Sequence, residues 1–346
     1  MNPPNTHNTC LPARMPSLVR RRELMLALAA AGWPGAQAHA QAQVQQAPAW
    51  PQQTVRIVVP FTAGTGMDTI ARAVAPRLAE RIGQSVVVQN QPGASGNLGT
   101  DAVAKAPADG HTVLITANTM VMAAQLYKNV PFDAVRDFAP VGLAAWGTLM
   151  LVANPKTQFK TLKDLIASAK SKPGAINFGS PGVGTPHHMV MELFKLQTGL
   201  FMLHVPYRGT AGYTQDLLSG EIQVGVLPVH VAQGFVNAGR LHALAVGSPK
   251  RHPVAPGVPT FAEQGVQGVD VDLWYGFFVP ERAPVAAVTR LNNEISAILR
   301  VPEVRELFGK AGLDVATSTP AELGDLVRKD YPRWGHVIRS KNIVGE

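Results

Sequence analysis

The sequence predicts an α/β protein with two domains and a ligand cleft between them. Short β-branched runs alternate with amphipathic helical patterns over most of the 346 residues, which is typical of mostly parallel sheets. The length exceeds that of one average domain and favours two. Hydrophobic residues make up 46% of the chain, enough for a sizeable core. Two α/β lobes joined by crossing strands place a cleft between them, where small ligands often bind.

The individual elements follow from local patterns along the chain. Strands are predicted at the β-branched or apolar runs Val55–Val59, Ser85–Gln89, Thr112–Thr116, Leu149–Ala153, Ile176–Gly179, Phe201–Val205, Ile222–Leu227, Leu241–Val246 and Trp274–Val279. Helices are predicted from apolar spacing over Asp68–Ile82, Leu162–Ser171, His187–Thr198, Thr210–Leu218, Val285–Leu299 and Glu303–Lys310. A capping box, Thr319-Pro-Ala-Glu322, predicts one more helix near the end of the chain.

Two breaks in the alternation predict the domain boundaries. Asn154-Pro155 follows the strand that closes the first series, and Trp274–Pro280 marks the return of the chain. We therefore expect domain 1 to comprise residues 52–153 and 274–346, with domain 2 formed by residues 154–273.

The first 40 residues have the features of an export signal. Three arginines at 20–22 precede a weakly apolar run, Leu24–Ala31, which is too short to cross a bilayer. Small residues at Ala38-His-Ala40 predict cleavage after Ala40 and a periplasmic location. Residues 41–51 form a Gln/Ala/Pro-rich linker. A twin-arginine signal and a general secretory signal both fit this pattern.

Charge and cysteine content exclude several classes of protein. The whole chain has a net charge of +8, and removal of four arginines and one glutamate with residues 1–40 leaves +5. No basic stripe with interleaved aromatic residues is present, which argues against nucleic acid as a partner. The single cysteine, Cys10, lies in the leader, so we expect a mature protein with no cofactor and no metal site built on thiolates.

Two glycine-rich loops each connect a predicted strand to a helix N-terminus. The first is Phe61–Asp68, in which Asp68 can cap the helix, and the second is Ser180–His188, in which Thr185 is a natural N-cap before Pro186. Free backbone N–H groups at a helix start favour a carboxylate or phosphate. One such loop in each lobe predicts a clamp on a single anion, although a simple strand–helix turn remains an alternative for each loop alone.

Other chemistries fit these loops less well. Ser180 lacks the glycine two residues earlier that a nucleophile elbow needs, because Phe178 stands there. The adjacent His187 and His188 cannot both point one way from a helix, which argues against a metal pair. Gly64-Thr-Gly66 lacks the third glycine of a dinucleotide fingerprint. We therefore expect no enzyme, no catalytic residue and no nicotinamide cofactor.

The mature chain resembles the tripartite tricarboxylate transporter substrate-binding proteins, the Bug/TctC family. The matching segments extend from Trp50 to about Ile343 and keep the order Arg56–Phe61, Val87–Asn90 with Pro92–Gly99, Ala108–Leu114, Val130–Asp133 with Asp137–Pro140, His204–Gly209, Gly239–Val246, Pro259–Glu263 and Trp274–Phe277. The resemblance implies a monomeric, two-lobed periplasmic binding protein of type II. Such a protein closes on a small organic acid and delivers it to membrane subunits of the transporter.

The resemblance also implies which residues meet the ligand. In the family both glycine-rich loops hold the carboxylate, and the loop after the third strand lines the pocket. The candidate ligand-binding residues are Phe61, Thr62, Ala63, Gly64, Thr65, Gly66, Met67, Asp68, Thr116, Asn118, Thr119, Ser180, Pro181, Gly182, Val183, Gly184, Thr185, His188, Tyr207 and Leu227.

The sequence departs from the family pattern at two places that bear on the ligand. The first loop carries Ala63 and Met67 where relatives usually have a Pro-Gly-Gly stretch, so the shape of the pocket is expected to differ. Leu227-Pro228 stands at or beside a position where relatives often have an aspartate. This difference favours a ligand that is apolar, including aromatic, beyond its carboxylate. An exported ligand sensor that contacts a signalling partner remains the alternative function.

Overall fold

The structure is a computed structural model that describes residues 50–271 and 273–344. The predicted signal peptide and residues 41–49 of the predicted linker lie outside the described residues. Within the described ranges, the helices include none with the length and hydropathy needed to cross a membrane.

Two β-sheets organise the described chain. Its strands are β1 (Val55–Val59), β2 (Val86–Asn90), β3 (Thr112–Ala117), β4 (Phe138–Gly147), β5 (Leu149–Ala153), β6 (Asn177–Ser180), β7 (Leu203–Pro206), β8 (Val224–Pro228), β9 (His242–Val246), β10 (Leu273–Pro280) and β11 (Leu313–Val315). The first sheet has the order β11-β4-β10-β3-β1-β2, and the second has the order β7-β6-β8-β5-β9.

The helices pack around these sheets and connect their strands. They are α1 (Gly66–Ile82), α2 (Asn97–Ala104), α3 (Thr119–Leu126), α4 (Leu162–Ser171), α5 (Pro186–Thr198), α6 (Thr210–Ser219), α7 (Val229–Asn237), α8 (Val285–Leu299), α9 (Pro302–Lys310) and α10 (Pro320–Ser340). The predicted capping box is present, because the Thr319 hydroxyl accepts from the Glu322 N–H and the Glu322 carboxylate accepts from the Thr319 N–H.

Both sheets are mixed, which corrects the expectation of mostly parallel sheets within a confirmed α/β class. Strand β1 runs parallel to β2 and β3, and β6 runs parallel to β7 and β8. By contrast, β10 is antiparallel to both β3 and β4, and β5 is antiparallel to β8 and β9. Strands β4 and β5, between which the chain leaves the first sheet, and β10, by which it returns, all pair antiparallel with their neighbours.

The chain passes from the first sheet to the second one element earlier than the sequence indicated. Strand β4 ends at Gly147 in the first sheet, and β5 begins at Leu149 in the second. The run Leu149–Ala153 was assigned to domain 1 because it precedes Asn154-Pro155. Its pairing places it beside β8 instead, with Leu151 opposite Val226.

Trp274 anchors the return of the chain into the first sheet. Its side chain is fully buried, and its indole Nε1–H donates to the Asp330 carboxylate of α10 at 2.7 Å. Such a bond satisfies a buried donor that would otherwise destabilise the core. The strand that carries Trp274 is thereby held against α10, and the next residue, Tyr275, is held in a fixed position.

Candidate ligand-binding site

One pocket lies where strands of both sheets end and helices begin. Its cavity has a volume of about 30 Å³. Its lining residues come from both sheets and are Phe61, Thr65, Gly66, Met67, Ala117, Thr119, Pro181, Thr185, Pro186, His187, Thr210, Pro228, Leu273 and Tyr275. Ligands of α/β proteins commonly bind outside the carboxyl ends of parallel strands, and β1, β3, β6 and β8 all end here.

Several helices start at this pocket. Lining residues are the first residues of four helices, namely Gly66 of α1, Thr119 of α3, Pro186 of α5 and Thr210 of α6. Pro228, which precedes α7, also lines it. The first N–H groups of each helix have no partner within the helix, and the helix dipole adds partial positive charge there. The lining residues, all of them described, include no Lys, Arg, Asp or Glu. The pocket therefore offers dipoles and neutral donors to an anion.

The first glycine-rich loop is capped by Thr65. Its hydroxyl accepts a hydrogen bond from the Asp68 N–H at 3.3 Å, and α1 begins at Gly66. This corrects the expectation that Asp68 caps the helix and that the helix begins there. A hydroxyl that accepts one bond can still donate its own hydrogen, and Thr65 lines the pocket.

The Asp68 carboxylate holds the first glycine-rich loop in place through hydrogen bonds. It accepts from the Gly64 N–H at 3.0 Å, from Arg72 Nε at 3.0 Å and from Asn90 Nδ2 at 2.9 Å. Burial alone would raise the pKa of Asp68, but the hydrogen bonds from Arg72, Gly64 and Asn90 hold it below its usual range. Asn90 Nδ2 also donates to the Phe61 carbonyl at 3.0 Å. Asp68 is therefore occupied within the protein and does not line the pocket.

The second glycine-rich loop is capped by Thr185, as predicted. The Thr185 hydroxyl accepts from the His188 N–H at 3.3 Å and donates to the Gly182 carbonyl at 2.7 Å. Ser180 lies beneath the loop, where its hydroxyl is fully buried and lies 2.7 Å from His204 Nε2. Unlike Thr65, Thr185 already uses its hydroxyl hydrogen within the loop.

Of the two adjacent histidines, the structure places His187 and not His188 at the pocket. His188 was predicted to meet the ligand, but its Nδ1 accepts from the Gly184 N–H at 3.2 Å and its Nε2 lies 3.5 Å from the Glu192 carboxylate. Its ring stacks on His204 with centroids 4.2 Å apart. His187, which was not among the candidate residues, lines the pocket instead.

The environment of His187 keeps its imidazole neutral. The side chain is 9% exposed, and burial lowers its pKa to about 3. Neither ring nitrogen has a hydrogen-bond partner among the described residues. The ring meets Tyr213 edge to face, with centroids 6.5 Å apart and an interplanar angle of 72°.

Tyr275 closes the pocket from strand β10. Its side chain is buried, and burial raises the pKa of its hydroxyl well above the usual value. A Cβ added at Gly66 would lie 2.5 Å from the Tyr275 hydroxyl oxygen. Only a residue without a side chain at the start of α1 therefore leaves room for this ring.

The predicted site residues separate into two groups in the structure. Those that line the pocket are Phe61, Thr65, Gly66, Met67, Thr119, Pro181 and Thr185. The others lie around it without lining it and are Thr62, Ala63, Gly64, Asp68, Thr116, Asn118, Ser180, Gly182, Val183, Gly184, His188, Tyr207 and Leu227.

Four residues of the second group illustrate where these residues lie. Ala63 and Gly64 are exposed to solvent at the tip of the first loop. The Tyr207 hydroxyl donates to the Asp216 carboxylate at 2.5 Å, and Tyr207 does not line the pocket. Leu227 is fully buried in the core of the second sheet opposite Met150, and its neighbour Pro228 meets the pocket.

Some loop residues make contact across the two sheets instead of lining the pocket. A Cβ on Gly182 would overlap the Ser95 hydroxyl, and a Cβ on Gly209 would overlap the Thr62 hydroxyl. A Cβ on Gly184 would lie 2.7 Å from the Ala123 Cα. These three glycines follow strands of the second sheet, and they fit closely against residues that follow strands of the first sheet.

Sequence reasoning missed seven of the residues that line the pocket. The missed residues are Ala117, Pro186, His187, Thr210, Pro228, Leu273 and Tyr275. For Thr210 a signal existed, because Gly209 precedes a predicted helix much as Gly64 does. For Pro186 the capping pattern of the second loop was already recognised. Leu273 and Tyr275 enter through the pairing of β10, which no local pattern reveals.

Solved structures define the class of protein to which this fold and pocket belong. The periplasmic binding protein BugD aligns with a TM-score of 0.82 and 29% identity, covering 86% of this chain and 100% of that one. The structure is therefore that of a two-lobed periplasmic binding protein.

A family model and two ligand-bound structures specify the class further. The chain belongs to the tripartite tricarboxylate transporter family receptors, TctC, whose model matches residues 70–343. This finding confirms the resemblance recognised from the sequence motifs. An R. palustris protein solved with adipate is 32% identical with a TM-score of 0.82, covering 86% of this chain and 100% of that one. MatC from Rhodopseudomonas palustris, with bound malate, is 29% identical with a TM-score of 0.79, covering 84% and 100%.

Proposed function

We propose that the protein captures a small carboxylate-bearing solute in the periplasm and presents it to the membrane subunits of a tripartite tricarboxylate transporter. The observation that carries this proposal is the meeting of helix starts from both sheets at one pocket without charged side chains. An anion is the ligand that such a pocket complements, because dipoles and N–H donors converge there.

The energies of these contacts are sufficient for a micromolar Kd. A hydrogen bond to a charged group contributes about 1.5–3 kcal/mol net. Two or three such bonds, with burial of the apolar part of the ligand against Phe61, Met67 and Leu273, reach about −8 kcal/mol, which corresponds to a micromolar Kd.

The solved neighbours support a carboxylate as the ligand. Adipate and malate are both small carboxylates, and each is named with a structure that covers most of this chain. These ligands support the chemical class of the ligand but not a particular acid. Met67 and Pro228 line the pocket at the two places where the sequence departs from its family, so the pocket is expected to differ in shape.

The remaining parts of the proposal concern the whole chain. Residues 1–40 act as an export signal that is cleaved after Ala40, and the mature protein functions as a monomer without a cofactor. The first lobe contains the sheet formed by β1–β4, β10 and β11, and the second contains the sheet formed by β5–β9. The lobes close on the ligand about the two crossings between the sheets, and the closed form is the one that the transporter recognises.

A screen of organic acids tests this function. Thermal unfolding of the purified protein is followed with mono-, di- and tricarboxylates and with the corresponding neutral amides. Stabilisation by one or more acids and by none of the amides is the expected result. Stabilisation only by neutral sugars or by cations would contradict the proposal. Hits are then titrated by calorimetry, and recovery of the acid unchanged after incubation separates binding from turnover.

A further inference from the structure

His187 is the one lining residue whose side chain carries two buried polar atoms without partners in the described chain. It lies in the first turn of α5 and is 9% exposed. A buried polar group without a partner destabilises a folded protein, so its presence in a pocket indicates that a ligand supplies the missing bonds.

The surroundings of His187 leave both of its nitrogens for the ligand. The nearest ring, Tyr213, already uses its hydroxyl to donate to the Val226 carbonyl. Thr185 donates its hydroxyl hydrogen to the Gly182 carbonyl. A neutral imidazole has one N–H donor and one bare nitrogen acceptor. A ligand that satisfies the whole ring must therefore both accept and donate.

The lining residues restrict the chemical nature of the donor on the ligand. A carboxylate accepts from the N–H of the imidazole but offers no hydrogen to its bare nitrogen. An ammonium group would donate, but no acidic side chain lines the pocket to balance its charge. A hydroxyl donates without bringing a charge. The combination of an anion-holding pocket and a neutral His187 thus fits a hydroxy acid.

We propose that His187 is a specificity-determining residue that selects a carboxylic acid bearing a hydroxyl group over the same acid without it. This inference rests on the proposed carboxylate-binding function and adds the substrate class within it. The sequence alone favoured a ligand that is apolar beyond its carboxylate. His187 supplies a polar side chain that can bind a hydroxyl group of the ligand, and the sequence did not reveal it.

Matched pairs of acids test the role of His187. Calorimetric titrations compare malate with succinate, lactate with propionate, and mandelate with phenylacetate, each pair differing by one hydroxyl. For the wild-type protein we expect about a 10-fold lower Kd for the hydroxy acid in any pair that binds. His187→Phe keeps the ring and its contact with Tyr213 but removes both nitrogens. We expect this variant to bind both acids of the pair within about 2-fold of each other, with binding of the deoxy acid unchanged.

Two further variants separate the outcomes. His187→Gln retains a donor and an acceptor and should keep part of the preference, whereas His336→Phe, at an exposed position on α10, should leave the preference unchanged. A wild-type protein that binds both acids of a pair equally would overturn the inference while leaving the proposed function intact. A His187→Phe variant that keeps the hydroxyl preference would do the same. Failure of the wild-type protein to bind any organic acid would remove the inference together with the proposed function.

Discussion

The hydroxyl of Tyr275 lies against the backbone of Gly66, so that a Cβ added at Gly66 would be 2.5 Å from the hydroxyl oxygen and 2.7 Å from Cζ. The two residues belong to segments far apart in the chain, the start of α1 and the centre of the first sheet. Their contact fixes one wall of the pocket, because both line it.

Replacement of Gly66 by alanine should therefore damage the pocket as well as the fold. The added methyl group must displace the Tyr275 ring, a change that costs about 1–3 kcal/mol in a packed site and narrows the cavity. We expect Gly66→Ala to weaken binding of the best organic acid by about 10-fold or more. Calorimetry gives the Kd, and urea unfolding gives the free energy of unfolding.

The matched control for this change is Gly64→Ala in the same loop. Gly64 has a φ of +83°, and a Cβ there would meet nothing within 4 Å. Alanine at this position should destabilise the protein by about 1–2 kcal/mol through backbone strain. It should affect the Kd less than Gly66→Ala does. Equal effects of the two substitutions on the Kd would show that loop strain, and not the Tyr275 wall, governs binding.

The carboxylate of Asp68 should prove structurally important although it does not line the pocket. Asp68→Asn removes the charge that accepts from Arg72, Gly64 and Asn90. We expect a loss of about 2 kcal/mol in the free energy of unfolding and a weaker affinity for acids, because the first loop loses its support. Asp325→Asn, whose carboxylate is 62% exposed beside Arg328, should change stability by less than about 0.5 kcal/mol. An Asp68→Asn protein as stable as the wild type would contradict this role.

Removal of the His187 imidazole should change how stability depends on pH. The pKa of His187 is lowered from 6.5 to about 3 by burial, so the unfolded chain takes up a proton at pH values where the folded chain does not. Wild-type stability therefore falls as the pH decreases below about 6.5. This residue accounts for about 2 kcal/mol of the loss between pH 7 and pH 5. His187→Phe should lack that part of the loss. It should also be more stable than the wild type at pH 7 in the absence of ligand, because two unpaired buried atoms are gone.

Urea unfolding at pH 7, 6 and 5 measures this difference. His204 and His230 also have lowered pKa values, to about 3 and about 4, owing first to burial. Both remain in the variant, so acid destabilisation should be reduced and not abolished. Parallel pH profiles for wild type and His187→Phe would mean that the pKa of His187 is the same in the folded and unfolded states.

The contact between Gly182 and Ser95 should be specific to the closed arrangement of the lobes. Gly182 belongs to the second glycine-rich loop. Ser95 lies between β2, a strand of the first sheet, and α2. Gly182→Ala should weaken acid binding by about 10-fold and should prevent the decrease in radius of gyration that we expect when ligand binds. Small-angle X-ray scattering with and without saturating acid measures the second effect.

A second substitution at Ser95 isolates the steric part of this effect. Gly182 has a φ of +147°, so alanine there is strained whatever its neighbours. Ser95→Ala removes the hydroxyl that the new methyl group would overlap and leaves a distance of 3.2 Å to the Ser95 Cβ. Recovery of affinity in the double variant would identify the contact as the cause. If the double variant binds no better than Gly182→Ala, the strained backbone and not closure explains the loss.

Start and stop signals close to each element made the strand–loop–helix units predictable from sequence. The strand Val55–Val59 was predicted with the observed bounds, because a β-branched run ends at Pro60 and a glycine-rich loop follows. The helices Leu162–Ser171 and Val285–Leu299 were also predicted with their observed bounds. In each of these cases the stop and start signals lie within a few residues of the element itself.

Elements that depend on distant partners escaped prediction. Strand β4, Phe138–Gly147, has Pro140, two glycines and several alanines in place of a β-branched run, and it is strand because β10 and β11 pair with it. Helices α2, α3 and α7 are only eight or nine residues long and likewise lacked a clear period.

Which of the two histidines lines the pocket also escaped prediction, for a related reason. His187 and His188 both lie in the first turn of α5, and the sequence gives no means of deciding which one faces the cavity. The stacking of His188 on His204, together with the bond from the Gly184 N–H, decides it. His204 belongs to β7, so the decision depends on how β6 and β7 pair side by side.

The position of β10 has a consequence for how the protein acquires its structure during synthesis. This strand is made after the whole of the second sheet, yet it lies between β4 and β3 at the middle of the first. Until it arrives, β3 has an unpaired edge and β4 has no strand partner, because β11 is made later still. By contrast, β5–β9 are contiguous in the chain and can pair among themselves. The second sheet is thus expected to form first, and the wall that Tyr275 contributes to the pocket is completed last. A chain interrupted before residue 273 would have both glycine-rich loops but would lack the pocket wall formed by Leu273 and Tyr275.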